Sequence, residues 1–238
     1  MTEEVRNEEV ITKIDVLPCV DGANGFVRLC NHMGDDLAVV RSARVSYDAD
    51  WRTGEEDGKD QKLINYLWKN KHTSPFEAVT FTFEVKAPIM VFRQWHRHRT
   101  WSYNEVSARY TELDEGFYLP DYKQITTQST SNKQMRTTEQ HPKAFKHQLE
   151  MKHSCDAAFR TYKWMLADGV PRELARGILP VFTYSRMFAT VNLRNLFHFI
   201  QLRDHDHAQY EVRVYAKAMK DLIRPIVPFC VQAFDSNR

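Results

Sequence analysis

Residues 79–85 alternate strictly between apolar and polar side chains, and this pattern narrows the possible folds more than any other. The apolar positions are Val79, Phe81, Phe83 and Val85, and two threonines and Glu84 lie between them. Successive side chains of a β-strand point to opposite faces of its sheet, so a period of two predicts a half-buried strand. We therefore expect a sheet with one face against a core and Glu84 on the other face.

Most other apolar residues repeat at the three- and four-residue spacing of an α-helix. A first helix is expected from Asp35 until just before Tyr47. Further helices are predicted over residues 63–68, 88–95, 145–166, 193–202 and 208–223, with a short one starting at Pro171. Pro225 and Pro228 are expected to stop the helical pattern.

Short β-prone runs complete the pattern. Residues 14–17 and 26–29 predict a hairpin or paired strands, and residues 181–189 predict a further strand. Few strands among several helices predict an α+β fold. The chain has 238 residues, of which 42% are hydrophobic, so we expect a single domain covering residues 1–238. Residues 122–142 are rich in Gln, Thr, Ser, Asn and Lys and are expected to form a mobile loop within it. The positions expected to form the core are Leu63, Leu67, Phe81, Phe83, Leu196, Phe199 and Leu202.

Charge and cysteine usage exclude several classes of protein. The 33 basic residues are nearly balanced by 31 acidic ones, so no excess charge is available to coat a nucleic acid. The four cysteines lie far apart without a Cys-x-x-Cys pair, which argues against a zinc knuckle or a disulfide framework. The longest apolar run is too short for a membrane helix, and the acidic N-terminus does not resemble a signal peptide. We expect a cytoplasmic protein with reduced thiols and no membrane association.

The densest cluster of functional side chains lies in residues 93–110, which contain arginines, histidines, Ser and Asn. Guanidinium groups bind phosphates through paired, charge-assisted hydrogen bonds, so this segment predicts a site for a nucleotide or a dinucleotide cofactor. Two other interpretations remain open. Charge spacing alone is also typical of a solvated basic face, and Trp95, Trp101 and Tyr103 beside arginines are also suited to stacking on single-stranded RNA.

Residues 204–207, Asp-His-Asp-His, contain side-chain types that bind zinc or iron. Adjacent residues of a helix point in different directions, however, and only pairs three or four apart converge. We therefore predict no metal site there.

The order of residues within the Arg-rich segment is more specific than its charge. It reads Arg97-His98-Arg99-x-x-Ser102-x-Asn104-Glu105-x-Ser107-x-Arg109-Tyr110. This motif resembles the signature of the flavin-dependent thymidylate synthases, and residues 36–47, 72–77, 169–180, 192–196 and 202–209 are similar to other motifs of that family. The resemblance covers the chain from about residue 13 to residue 230.

The resemblance implies an α+β fold with a central, mostly antiparallel sheet flanked by helices, assembled as a homotetramer in which subunits share active sites. It implies that FAD contacts Ser46, Ser74, Arg97, His98, Arg99, Glu105, Asn192, Arg194 and His198. It implies that dUMP contacts Gln94, Arg97, Glu105, Ser107, Ala108, Arg109, Arg176 and Arg203.

The implied reaction converts dUMP to dTMP. Methylenetetrahydrofolate supplies the carbon, NADPH reduces the flavin, and no enzyme cysteine acts as a nucleophile. Arg109 and Arg176 suit the phosphate, and Arg203 is the expected catalytic residue because it can stabilise negative charge developing on the pyrimidine. A flavoprotein of the same fold without methylation activity is the further alternative, but such a chain is expected to lack the nucleotide arginines that are present here.

Overall fold

The structure, a computed structural model, describes residues 12–54, 58–114 and 116–238. The strands are β1 (Lys13–Asp15), β2 (Phe26–Met33), β3 (Thr80–Pro88), β4 (Ser102–Glu105), β5 (Thr126–Gln128), β6 (Arg136–Gln140) and β7 (Tyr184–Asn192). The helices are α1 (Asp36–Arg44), α2 (Lys59–Lys69), α3 (Ile89–Trp95), α4 (Ala144–Ala167), α5 (Arg172–Ala175), α6 (Leu193–Arg203), α7 (Tyr210–Ile223) and α8 (Pro228–Ser236). The predicted α+β class is confirmed.

The main sheet has the order β1-β2-β3-β7-β4, and every neighbouring pair is antiparallel. The predicted strand at residues 79–85 is β3, which lies in the middle and pairs with β7 along its whole length, from Thr80 opposite Asn192 to Pro88 opposite Tyr184. Phe81 and Phe83 are fully buried, as the alternation predicted. The sheet is therefore antiparallel throughout, with its central strand anchored in the core.

Glu84 does not lie on an open polar face. It is buried, and its carboxylate pairs with Arg28 of β2 over 3.3 Å and with Arg186 of β7 over 3.3 Å. Two arginines from neighbouring strands cover the carboxylate and satisfy its charge, so the period of two predicted the strand correctly but not the burial of this residue.

Helices and aromatic side chains cover one face of the sheet. Trp95 of α3, Phe199 of α6 and Tyr215 of α7 are fully buried together, with the Trp95 and Phe199 rings 4.7 Å apart. Leu202, expected in the core, is instead 48% exposed, and Leu63 is only partly buried. A smaller apolar cluster lies beneath α4.

The helix predicted over residues 208–223 ends at Ile223, before Pro225, but α8, which begins at Pro228, was not predicted. Proline has no amide hydrogen to donate and a fixed φ, which suits the first turn of a helix as well as it breaks a helix interior. The start of α8 is bound by Asp36 of α1, whose buried carboxylate accepts hydrogen bonds from the backbone N–H groups of Phe229 (2.8 Å) and Cys230 (3.0 Å).

Residues 122–142 contain more regular structure than the sequence suggested. Strands β5 and β6 form a two-stranded antiparallel sheet, which we call the β5–β6 hairpin. The mobility of residues 122–142 stays a prediction.

The short strand β4, inside the Arg-rich segment, was also missed, since its polar side chains show no hydrophobic alternation. None of the described helices has the length and apolar character needed to cross a membrane.

Candidate functional site

The best-defined part of the predicted site is the contact between His98 and Arg203. His98 follows α3 and Arg203 ends α6, and the Nε atom of Arg203 donates a 2.9 Å hydrogen bond to Nε2 of His98. The His98 ring is 8% exposed and lies 4.9 Å from the ring of Phe199 and 6.1 Å from that of His198. The structure thus brings together one predicted flavin contact and the predicted catalytic arginine.

The electrostatics of this pair fix its protonation state. Burial, followed by the positive charge of Arg203 and by His198, lowers the pKa of His98 from 6.5 to about 4. The ring is therefore neutral near pH 7, and because Nε2 accepts from Arg203, its proton resides on Nδ1. Among the described residues, the Arg203 guanidinium makes no other hydrogen bond or ion pair, so its terminal nitrogens remain available to a ligand.

A second side-chain hydrogen bond joins the same two parts of the fold. Gln94, in α3, donates from Nε2 to Oε1 of Gln209, which lies in the connection between α6 and α7. Gln94 and Arg203, both predicted to contact dUMP, are thus held at one junction between the end of α3 and the α6–α7 connection.

Most of the other predicted nucleotide contacts lie at the end of β4, directly after it, and around α5. Ser185 of β7 donates from Oγ to the Glu105 carboxylate over 2.6 Å. Backbone N–H of Arg109 donates to Oγ of Ser107 over 3.3 Å, and the Arg109 guanidinium lies 3.5 Å from the carboxylate of Glu173 in α5. Ala108 is buried and Arg176 is exposed in the turn after α5. The two arginines and Glu105 of this second group are exposed to solvent.

A third group surrounds the start of α6. The side chain of Asn192 accepts a 3.0 Å hydrogen bond from the backbone N–H of Asn195 and so caps the helix. Arg194 forms an ion pair with Glu77, which lies in the same 3-10 turn (Ser74–Ala78) as Ser74. A cavity of about 680 Å³ adjoins this group, and its lining includes Lys69, Lys71, Thr100, Arg194, His198 and Gln201.

The remaining residues predicted to contact a ligand are exposed, and their side chains have no polar partner among the described residues. Ser46, Arg97 and Arg99 are exposed, and within residues 12–54, 58–114 and 116–238 their side chains make no hydrogen bond or ion pair. No hydrogen bond or ion pair in the described parts of the chain links the nucleotide contacts around Arg109 and Arg176 with Arg203 or Gln94. The predicted site residues are therefore not joined into one hydrogen-bonded cluster within the described parts of the chain.

Both aspartates of the Asp-His-Asp-His sequence form ion pairs with basic side chains. Asp204 pairs with Lys220 and Arg238, and Asp206 pairs with Arg213. Within the described residues, no group of three or more His, Cys, Asp or Glu side chains is arranged to hold a metal ion.

Sequence reasoning assigned no role to Ser185, Gln209 or Glu211, although each contacts or supports a predicted site residue. Ser185 meets Glu105 only because β4 and β7 are neighbouring strands of the folded sheet. Gln209 is the last residue of the motif at residues 202–209, and Glu211 lies two positions later, at the start of α7. This closeness to the motif was the only feature of the sequence that pointed to either residue.

Comparison with known proteins gives one consistent result. Residues 28–229 match the family described as Thymidylate synthase complementing protein. The flavin-dependent thymidylate synthase of Treponema denticola is 44% identical over 215 residues, which cover 90% of this chain and 80% of that protein. The flavin-dependent thymidylate synthase of Thermosipho africanus is 42% identical over 210 residues, covering 88% of this chain and 90% of that protein.

Solved structures agree with the sequence comparisons. The UMP/dUMP methylase PolB from Streptomyces cacaoi bound with 5-Br dUMP is 34% identical, with a TM-score of 0.82 over 94% of this chain and 97% of that one. The same methylase bound with 5-Br UMP is 36% identical, with a TM-score of 0.80 over 90% of this chain and 95% of that one.

The depressed pKa of His98 predicts a defined pH dependence of stability. Between pH 6.5 and about 4 the unfolded chain binds more protons at this residue than the folded protein does. The contribution of His98 to the free energy of unfolding is therefore complete above pH 6.5, declines as the pH falls, and is lost at about pH 4. We expect a loss of at most about 3 kcal/mol.

Chemical denaturation across this pH range measures the effect. His98→Gln keeps an oxygen that can accept from Arg203 but does not titrate, so its unfolding free energy should change less steeply with pH. His153→Gln, at an exposed position of α4, is the matched control and should follow the wild type. Equal pH slopes for His98→Gln and the wild type would contradict the assignment.

Proposed function

Because this chain belongs to the family of flavin-dependent thymidylate synthases, we propose that it methylates dUMP to dTMP with FAD as its cofactor. The observation that carries the proposal is Arg203, held by a neutral buried histidine with its terminal nitrogens free. A guanidinium fixed in this way can stabilise negative charge on a pyrimidine without reorganising during the reaction. The two solved neighbours are named as UMP/dUMP methylases bound with 5-bromo nucleotides, which supports the nucleotide as substrate.

The residues near the start of α6 fit a dinucleotide cofactor. A diphosphate needs several cationic and neutral donors, and the cavity beside Arg194 offers two lysines, an arginine, a histidine and two threonines. Arg97 and Arg99 add exposed guanidinium groups with no partner among the described residues. When bound, the flavin would supply hydride transfer to the nucleotide.

The protein's own residues would then bind and orient the reactants. His98 holds the plane of Arg203, and Arg109 and Arg176 are suited to the dUMP phosphate. Glu105 and Ser107 would complete the nucleotide contacts with a carboxylate and a hydroxyl group. Holding the reacting groups in order accounts for a large part of catalysis when a cofactor performs the hydride step.

We further propose that methylenetetrahydrofolate supplies the carbon, that NADPH supplies the electrons, and that no cysteine is the nucleophile. The four thiols support the last point. Burial raises the pKa of Cys19 to about 11, and it also raises the pKa of Cys30, Cys155 and Cys230. A thiol attacks only as its thiolate, so these sites all disfavour the reactive form.

The division of the nucleotide contacts supports a shared active site. Arg176 and Arg97 are exposed, and the Arg109 group makes no contact by hydrogen bond or ion pair with Arg203 within the described residues. A homotetramer in which one subunit supplies Arg109 and another supplies Arg203 would unite the two groups around one nucleotide.

The first test is a visible spectrum of the purified protein, with and without added FAD. Anaerobic NADPH is then added with dUMP and methylenetetrahydrofolate, and dTMP is quantified. We expect flavin absorption that bleaches with NADPH and dTMP that depends on all added substrates. A colourless protein that takes up no FAD and makes no dTMP would refute the proposal, and salt-dependent binding of single-stranded RNA would then be measured.

Removing Arg203 tests its assigned role. Arg203→Ala should lower the rate of dTMP formation by on the order of 10²–10³-fold or more, because a fixed donor for developing charge is lost. The flavin spectrum should remain. Arg224→Ala, which removes an exposed arginine paired with Asp235, is the matched control and should keep its activity. Unchanged turnover in Arg203→Ala would remove this residue from the reaction.

Serine substitution tests the absence of a cysteine nucleophile. Cys19→Ser and Cys30→Ser should each form dTMP at close to the wild-type rate. Loss of a true nucleophile would lower the rate by on the order of 10⁴-fold or more. A fall of that size in a folded, flavin-binding variant would reverse the assignment.

A further inference from the structure

Four side chains form a continuous series of hydrogen bonds from the β5–β6 hairpin to the end of α3. Arg136 donates from Nη2 to Oε1 of Glu211 over 3.2 Å, and Gln209 donates from Nε2 to Oε2 of Glu211 over 2.8 Å. Gln94 donates from Nε2 to Oε1 of Gln209. We call Arg136, Glu211, Gln209 and Gln94 the amide relay.

Glu211 is the fixed point of the amide relay. It is 2% exposed, and its carboxylate also accepts a 3.1 Å hydrogen bond from the hydroxyl group of Tyr118. A buried carboxylate is stable only when its oxygens are paired, and here donors from three different parts of the chain meet both oxygens. The position of Glu211 is therefore determined by the surrounding fold and not by a ligand.

The chemistry of Glu211 sets the direction of the amide relay. A carboxylate only accepts, so the Gln209 amide must turn its NH₂ group towards it. The oxygen of Gln209 then faces Gln94, which must in turn direct its own NH₂ group at that oxygen. A reversed Gln209 amide would place its oxygen against the buried Glu211 carboxylate, and leaving a buried carboxylate oxygen without its donor costs more than one hydrogen bond contributes.

Gln94 is left with a defined pattern of free groups. Its Oε1 acceptor and its second N–H donor have no partner among the described residues, and the side chain is only half-buried. Gln94 lies near the end of α3 and His98 lies just beyond it, and both residues contact the segment that contains Arg203 and Gln209. An adjacent acceptor and donor are complementary to the N3–H and O4 of uracil.

We infer that Glu211, acting through Gln209, is a positioning residue that orients the Gln94 amide to accept uracil, and not cytosine, in the nucleotide site. This inference rests on the proposed function, because that function puts Gln94 at dUMP. Cytosine has an acceptor at N3 and a donor at N4, so both contacts would be reversed. A freely rotating amide can pair with either base edge, and the amide relay removes that freedom.

Arg136 extends the amide relay to the β5–β6 hairpin. It supplies the positive charge opposite Glu211 and also donates from Nη1 to the carbonyl of Gln124 over 3.2 Å. The hairpin thereby holds the carboxylate that orients Gln94, although no residue of the hairpin is among the predicted nucleotide contacts.

Calorimetric titration of dUMP and dCMP into the flavin-loaded, full-length protein tests the inference. In Glu211→Gln the group facing Gln209 can donate or accept, so the amide relay loses its direction. In Gln209→Met the relay is interrupted while the pair between Arg136 and Glu211 stays intact. Glu139→Gln removes an exposed carboxylate of the same hairpin that has no side-chain partner among the described residues, and it is the matched control.

The ratio of dUMP affinity to dCMP affinity is the deciding quantity. We expect it to fall by about tenfold or more in Glu211→Gln and Gln209→Met, through weaker dUMP binding and equal or stronger dCMP binding. It should be unchanged in Glu139→Gln. Parallel losses for both nucleotides would show a merely structural role and would overturn the inference, as would an unchanged ratio in folded Gln209→Met.

The wild-type protein separates this inference from the proposed function. Formation of dTMP and tight binding of dUMP by the wild type, with unaltered ratios in the variants, would refute the amide relay alone. Absence of dTMP formation and of dUMP binding in the wild type would refute the proposed function itself.

Discussion

The antiparallel pairing of β3 with β7 is the constraint on which the rest of the structure depends. The register places Pro88 opposite Tyr184 at one end and Thr80 opposite Asn192 at the other. Since α3 follows Pro88 and α6 follows Asn192, the two helices start from opposite ends of this strand pair and converge at the stacked rings of Trp95 and Phe199. A change in this register would move His98 away from Arg203, because each lies beyond the end of one of these strands.

The polar groups of the site depend on apolar surroundings. Phe199 packs against His98, and the ring is buried enough to remain neutral beside a cation. In such surroundings a hydrogen bond is stronger and a wrongly oriented group is more costly than in water. The buried His98 ring therefore orients the Arg203 guanidinium, and its terminal nitrogens stay free of partners among the described residues.

Local patterns predicted the elements but not the contacts between them. The alternation at residues 79–85 identified β3, and the motif at residues 97–110 identified the family, because both depend on spacing within one segment. The burial of Glu84 and Leu202 was misjudged because it depends on neighbouring elements. Two arginines of adjacent strands cover Glu84, whereas no element of the described chain covers Leu202. Glu211 could not be found for the same reason. Two of its three donors, Arg136 and Tyr118, lie 75 and 93 positions before it in the chain, and the third is Gln209. The start of α8 was missed because a proline suits both the end of one helix and the beginning of another.

The contact between Asp36 and the start of α8 also has a consequence for synthesis of the chain. The partners of this buried carboxylate are separated from it by 193 and 194 positions, and β4 pairs with β7, which is made much later. Until α8 has been made, α1 lacks its buried partner, and until β7 has been made, both β3 and β4 lack the strand that lies between them. Contacts of such long sequence separation form late and slowly. The central aromatic strand β3 therefore lacks its neighbour on one edge until residues 184–192 have been made.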